Sequence, residues 1–145
     1  MSRRKARELA LQMLFQQDLS QDSAAKVEEM FWKSHTAPEE LRQFADLLFL
    51  KSFESRSVVD DLISRNADRW RMERIAAVDR NVLRLGVTEF LFLETPRVVV
   101  INEAVEIARK YGTERSSEFV NGILDTIRKE LESPSEESQH HESEG

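Results

Sequence analysis

The sequence contains no cysteine, which excludes disulfides and thiol nucleophiles and makes an intracellular, cytoplasmic location the default expectation. Glycine and proline are scarce, four and three residues, and no phosphate-cradling glycine loop or Gly-x-Ser-x-Gly nucleophile elbow occurs. The three histidines do not make a metal site: His140 and His141 lie near the C-terminal end, and His35 has no cysteine or second histidine beside it. The acidic pairs Glu28-Glu29 and Asp60-Asp61 read as solvated helix faces. Long hydrophobic runs are missing too. Leu9, Leu11 and Leu14 are interleaved with Arg7, Glu8 and Gln12, so neither a secretory segment nor a membrane span is expected. No catalytic residue, metal or cofactor is expected, and binding is the better functional class.

Charge is present but unevenly placed. The formal net charge of -6 argues against a polyanionic partner only if it is spread evenly. Glu130 to Gly145 holds six glutamates and no lysine or arginine, which leaves the rest of the chain balanced. Arg3, Arg4, Lys5 and Arg7 stand at the other end with no acid among the first seven residues. Local charge decides contact with nucleic acid, so the basic end stays a candidate.

Hydrophobic periodicity predicts an all-α protein. Helices are expected over 3–19, about 24–33, a long stretch to about Asn66, 76–93, from about Ile101 to Gly112, and from Ser116 onward. Thr36-Ala-Pro-Glu39 has the form of a capping box, and the polar stretch Ser52 to Ser57 is a predicted bend or break. Thr95-Pro96 stops one helix, and Gly112 fits the position after another. Arg97 to Val100 is locally strand-like but too short for a sheet. The last helix carries one apolar stripe of Phe119, Val120, Ile123, Leu124, Ile127 and Leu131. Residues 1–131 are expected to form one domain, with halves of about 1–67 and 75–131 joined near Trp70, and 132–145 an acidic disordered tail.

At about 100° per residue, Ala6, Leu9, Ala10, Met13 and Gln17 mark one side of the first helix, while Arg4, Arg7, Leu11 and Phe15 share an arc of about 80° on the other. Two readings fit this second face. Arginines can neutralise phosphates while Phe15 stacks an unpaired base, or Leu11 and Phe15 pack on the second half or on a dimer partner. Asn102, Glu103 and Asn121 border apolar stripes and are expected to tie helices together, Gly86 and Gly122 to let helices approach closely, and Trp70 to anchor the two halves. Arg84 either covers core with its stem or contacts RNA.

Several segments together resemble the bacterial transcription antitermination factor NusB family. They are Arg3-Arg4-Lys5-Ala6-Arg7-Glu8 with Ala10-Leu11-Gln12-x-Leu14-Phe15; Trp70-x-x-x-Arg74 with Val78-Asp79-Arg80-x-x-Leu83-Arg84; Pro96 through Ile101-Asn102-Glu103-Ala104-Val105-Glu106; and Phe119-Val120-Asn121-Gly122-Ile123-Leu124-Asp125. The resemblance implies two packed three-helix-like subdomains of about seven helices in all. It also implies binding to single-stranded boxA RNA of nascent ribosomal RNA, together with the small-subunit ribosomal protein NusE, and entry into the RNA polymerase antitermination complex with other Nus factors. By the same resemblance, Arg3, Arg4, Lys5, Arg7, Phe15, Arg115 and Phe119 contact RNA, and Asp79 contacts the ribosomal protein. Some relatives form homodimers that cover the RNA face, and the sequence leaves that state open. The rival reading is a helical protein-interaction module without intrinsic RNA binding. A similar domain can precede a ribosomal RNA cytosine methyltransferase, but this chain has no cysteine and no cofactor-binding glycine loop for that chemistry.

Overall fold

The apolar periodicities fold as helices throughout the computed structural model, which describes residues 2–67 and 71–133. Seven α-helices lie among these residues: α1 (Arg3–Ser20), α2 (Ala24–Ser34), α3 (Glu39–Glu54), α4 (Arg56–Asn66), α5 (Ala77–Phe92), α6 (Arg97–Tyr111) and α7 (Ser116–Glu132). A single 3-10 turn at Met72–Arg74 leads into α5. Trp70, the expected anchor, and residues 134–145 of the acidic tail lie outside the described residues. No helix among the described residues is long and apolar enough to cross a membrane.

Local chemistry sets most of the boundaries. Ser23 caps α2, its hydroxyl accepting from the Lys26 N–H at 3.2 Å. The α3–α4 break falls at Ser55, inside the polar stretch that predicted it. Pro96, still extended, precedes α6, and the strand-like Arg97 to Val100 forms its first turn. Thr36 does not cap α3. The helix begins only at Glu39, with Pro38 extended at ψ 148°. A proline disfavours helical geometry in the residue before it, which opposes a helix starting at Ala37.

The core gathers around α5, which packs on α1, α3, α4, α6 and α7. Every residue from Asn81 to Phe90 is buried, so the polar ones among them need partners inside the protein. They have them. Asn81 Nδ2 donates to Asp18 at 2.9 Å, and Arg84 makes two hydrogen bonds of 2.9 Å to Asp60. Thr88 donates to its own helix, and Glu89 accepts from Arg7. Arg84 is therefore an interior residue, and Asp60 is its counter-ion rather than part of a solvated face. Asp18 also accepts from Arg80 at 3.2 Å. Burial pushes the Asp18 carboxyl up, but Asn81, Arg80 and Arg84 together hold it below the usual aspartate range. Around this network, side chains such as Leu11, Met13, Phe31, Phe49, Leu83 and Leu124 are fully buried, each worth about 1.5–3 kcal/mol.

The glycines divide. A Cβ on Gly86 would meet both Leu124 methyls at 3.0 Å, so this glycine lets α5 and α7 approach closely. Gly112 is extended rather than left-handed, and a Cβ there would collide with the Ser116 side chain and come within 2.8 Å of the Ala108 carbonyl. Gly122 has nothing within 4 Å of such a Cβ, so the expected close approach is not there. Asn121 beside it is exposed, as is Asn102 on α6. Both asparagines lie off the buried stripes of their helices and make no side-chain tie among the described residues. Glu103 does tie two helices, accepting from Arg4 at 2.5 Å.

Candidate nucleic-acid interface

The first turn of α1 contains no acidic residue and presents three cations. The Arg3 guanidinium lies 4.4 Å over the Phe44 ring of α3, which holds an otherwise mobile side chain at the surface. Arg4 remains 42% exposed while bonded to Glu103, and Lys5 is exposed. One turn further on, the arc read from the sequence turns inward. Leu11 is fully buried, and Phe15 is half-buried against the core. Arg7 does not stand on the surface at all. Its side chain is 6% exposed, and its Nε and Nη2 donate to Glu89, itself 3% exposed, over 2.8–3.1 Å. The reason is architectural. α1 is enclosed by α3 on one side and by α5 and α6 on the other, so its second face meets protein instead of water.

A second site forms where the 3-10 turn and the start of α5 meet the start of α7. Arg74, Ile75, Ala76, Asp79, Arg115 and Phe119 line an open cleft of about 360 Å³. Arg115 is exposed at the α7 N-cap, Phe119 lies half-buried one turn on, and Arg74 is exposed on the opposite wall. Asp79, in the first turn of α5, has its Oδ1 buried with no hydrogen-bond partner among the described residues. A carboxylate oxygen left this way is costly unless a ligand supplies the donor. The cleft therefore combines an aromatic face, two guanidinium groups and an acceptor in need of a donor. Arg115, Phe119 and Asp79, singled out separately in the sequence, are thus brought together, and Arg74 is the wall residue that sequence reasoning left unassigned.

A further contact between α1 and α6 was not visible in the sequence. Glu8, on α1, accepts from Lys110 Nζ at 2.7 Å and from the Tyr111 hydroxyl at 2.5 Å, both at the end of α6. Burial pushes the Glu8 carboxyl up, but the two hydrogen bonds and the Lys110 charge prevail and hold it below the usual glutamate range. No group of three or more His, Cys, Asp or Glu side chains among the described residues could hold a metal. His35 instead stacks on Phe31 at 3.9 Å between ring centres.

The NusB family profile matches residues 4–129, which takes in the cleft and all of the α1 basic turn except Arg3. The chain belongs to the NusB family. It is 50% identical over 133 residues to the transcription antitermination protein NusB of Koribacter versatilis, spanning 90% of this chain and 91% of the relative. It is 44% identical over 131 residues to that of Sorangium cellulosum, spanning 90% and 94%. Among solved structures, NusB of T. maritima superposes with a TM-score of 0.81 at 38% identity, covering 97% of this chain and 98% of that one. A crystal structure of antitermination factors NusB and NusE in complex with double-stranded RNA contains a chain that superposes at 0.79 and 27% identity, covering 90% and 99%. The protein is thus a NusB-family antitermination factor, and the family is non-catalytic.

Proposed function

We propose that this NusB-family protein acts in the cytoplasm by binding single-stranded boxA RNA of nascent ribosomal RNA through the α1 basic turn and the Arg74–Phe119 cleft. In this reading it binds jointly with the ribosomal protein NusE and then enters the RNA polymerase antitermination complex with other Nus factors. The observation that carries it is the cleft itself, which Phe119 lines together with two arginines and where Asp79 Oδ1 has no donor among the described residues. Guanidinium groups give salt-dependent affinity, the aromatic stacks a base, and Asp79 accepts from a donor on the ribosomal protein. Two modest surfaces engaging one RNA raise each other's occupancy through effective concentration. The similar NusB that was crystallised with NusE and double-stranded RNA supports NusE and an RNA as the kinds of partner.

Burial of Arg7 and Leu11 favours a second reading, a protein-interaction module without intrinsic RNA affinity. A titration of purified protein separates the two. Labelled boxA RNA, a scrambled strand and a duplex of the same length are each titrated with and without NusE, at two salt concentrations. The first reading expects selective single-strand binding, strengthened by NusE and weakened in Phe15→Ala and Phe119→Ala. Equal, negligible affinity for all three RNAs with NusE present, from a sample sized as a monomer, would leave the second.

A further inference from the structure

We propose that Lys110, at the C-terminal end of α6, is a phosphate-binding residue that joins the basic turn of α1 to the Arg115–Phe119 cleft in one continuous strip for a single-stranded polyanion. The inference rests on the RNA-binding reading above and adds a residue that lies outside both sites.

Two links place Lys110 on that path. Arg4 bonds Glu103 and Glu8 bonds Lys110, so α1 and α6 run side by side, and the end of α6 lies one turn along α1 from its basic start. Beyond Lys110 the chain passes through Gly112 and exposed Thr113, Glu114 and Arg115 into α7, where Phe119 enters the cleft. Asn81, just past Asp79 of the cleft on α5, bonds Asp18 near the far end of α1, so Lys110, opposite Glu8, lies at a level of α1 between its basic start and the cleft end.

The charges are layered. Lys110 is 60% exposed, whereas the Glu8 carboxylate beneath it is 6% exposed. A polyanion approaching from solvent meets the ammonium group and not its counter-ion. An ammonium carries three donors, and Glu8 takes one through a single oxygen while the group also lies 5.3 Å over the Tyr111 ring, which leaves donor capacity on a 60% exposed side chain. The Tyr111 hydroxyl gives Glu8 a second hydrogen bond, so the carboxylate does not depend on Lys110 alone. The lysine is held in place before any ligand arrives, which reduces the ordering cost of binding. Glu103 plays the same underlying part for Arg4, being 22% exposed beneath a 42% exposed arginine. The same strip of α1 and α6 thus presents its cations outward twice over carboxylates drawn inward.

The test is a salt titration of full-length protein with single-stranded boxA RNA and with the scrambled strand, comparing wild type, Lys110→Gln, Lys110→Arg and Lys33→Gln. Glutamine retains a donor for Glu8. Lys33 on α2 is a comparably exposed lysine paired with a glutamate, so its variant controls for bulk charge. Losing one phosphate contact should flatten the slope of log affinity against log salt by about 0.7, equal to an affinity deficit that changes about threefold between 50 and 200 mM salt. Lys110→Gln should show this on both RNAs, because phosphate contacts carry no sequence preference. Lys110→Arg should keep the wild-type slope, and Lys33→Gln should keep it too. Wild-type RNA binding with an unchanged slope in Lys110→Gln, or a change matched by Lys33→Gln, overturns the assignment of Lys110 and leaves the RNA reading standing. Absence of salt-dependent binding by the wild type overturns both.

Discussion

Replacing Arg7 separates a structural ion pair from an RNA contact, because the same residue is claimed by both accounts. Arg7→Ala would leave the Glu89 carboxylate, 3% exposed, without the guanidinium that donates to it along three paths. Removing one partner of a buried pair costs about 3–5 kcal/mol, a large share of the roughly 5–15 kcal/mol that holds a domain of this size. The corresponding loss in melting temperature is about 10–20 °C. Removing both charges at once, as in Arg7→Met with Glu89→Leu, eliminates the uncompensated carboxylate and should recover most of that loss. Urea unfolding followed by circular dichroism gives all four corners of the cycle, provided the slope with denaturant stays constant. RNA titration of the double variant at low temperature then tests the other claim. A residue enclosed in this way contributes no phosphate contact, so affinity and salt slope should match the wild type. An Arg7→Ala protein within about 1 kcal/mol of wild type, or a folded double variant with a flattened salt slope, would refute the reasoning.

Three further outcomes follow from particular contacts. Gly112→Ala should destabilise by about 1–3 kcal/mol, since its Cβ meets Ser116 and a carbonyl, whereas Gly122→Ala, with open space around it, should stabilise by about 0.5–1 kcal/mol; thermal melts of the pair check both signs. Burial and the neighbouring Asp46 carboxylate push the Glu28 carboxyl up to about 7. Its folded value is thus raised above the unfolded one near 4.3, and its contribution to stability is complete below that pH and lost as pH rises through about 7. Melting temperatures from pH 4 to 8 should accordingly show Glu28→Gln gaining on wild type as pH rises, and parallel curves would remove the coupling to Asp46. Arg115→Asp should weaken RNA binding and flatten its salt slope, which the titration described above measures directly.

The helices were legible because their signals are local. The proline at 96, the polar break before Arg56 and the stripe of α7 each act through neighbours within a turn or two. Thr36 failed as a cap for an equally local reason, the proline at 38 opposing helical geometry at Ala37. The site was only half legible. A helical projection shows that Arg4, Arg7, Leu11 and Phe15 share a side, but not whether that side meets water or a second layer of helices. The missing information was in another helix. Glu89 is the one charged residue in the largely apolar stretch Val87 to Phe92, and a carboxylate there requires a cationic partner from elsewhere in the chain. Arg7, set between Ala6 and Leu9 to Leu11, is the cation that α1 packing delivers to it. The same rule works in the other direction at Asp79. Its buried oxygen has no donor within the described residues, and Arg80 beside it turns to Asp18 instead. A buried carboxylate answered from inside is architecture, as at Glu89, and one left unanswered beside an open cleft is the place to expect a partner's donor.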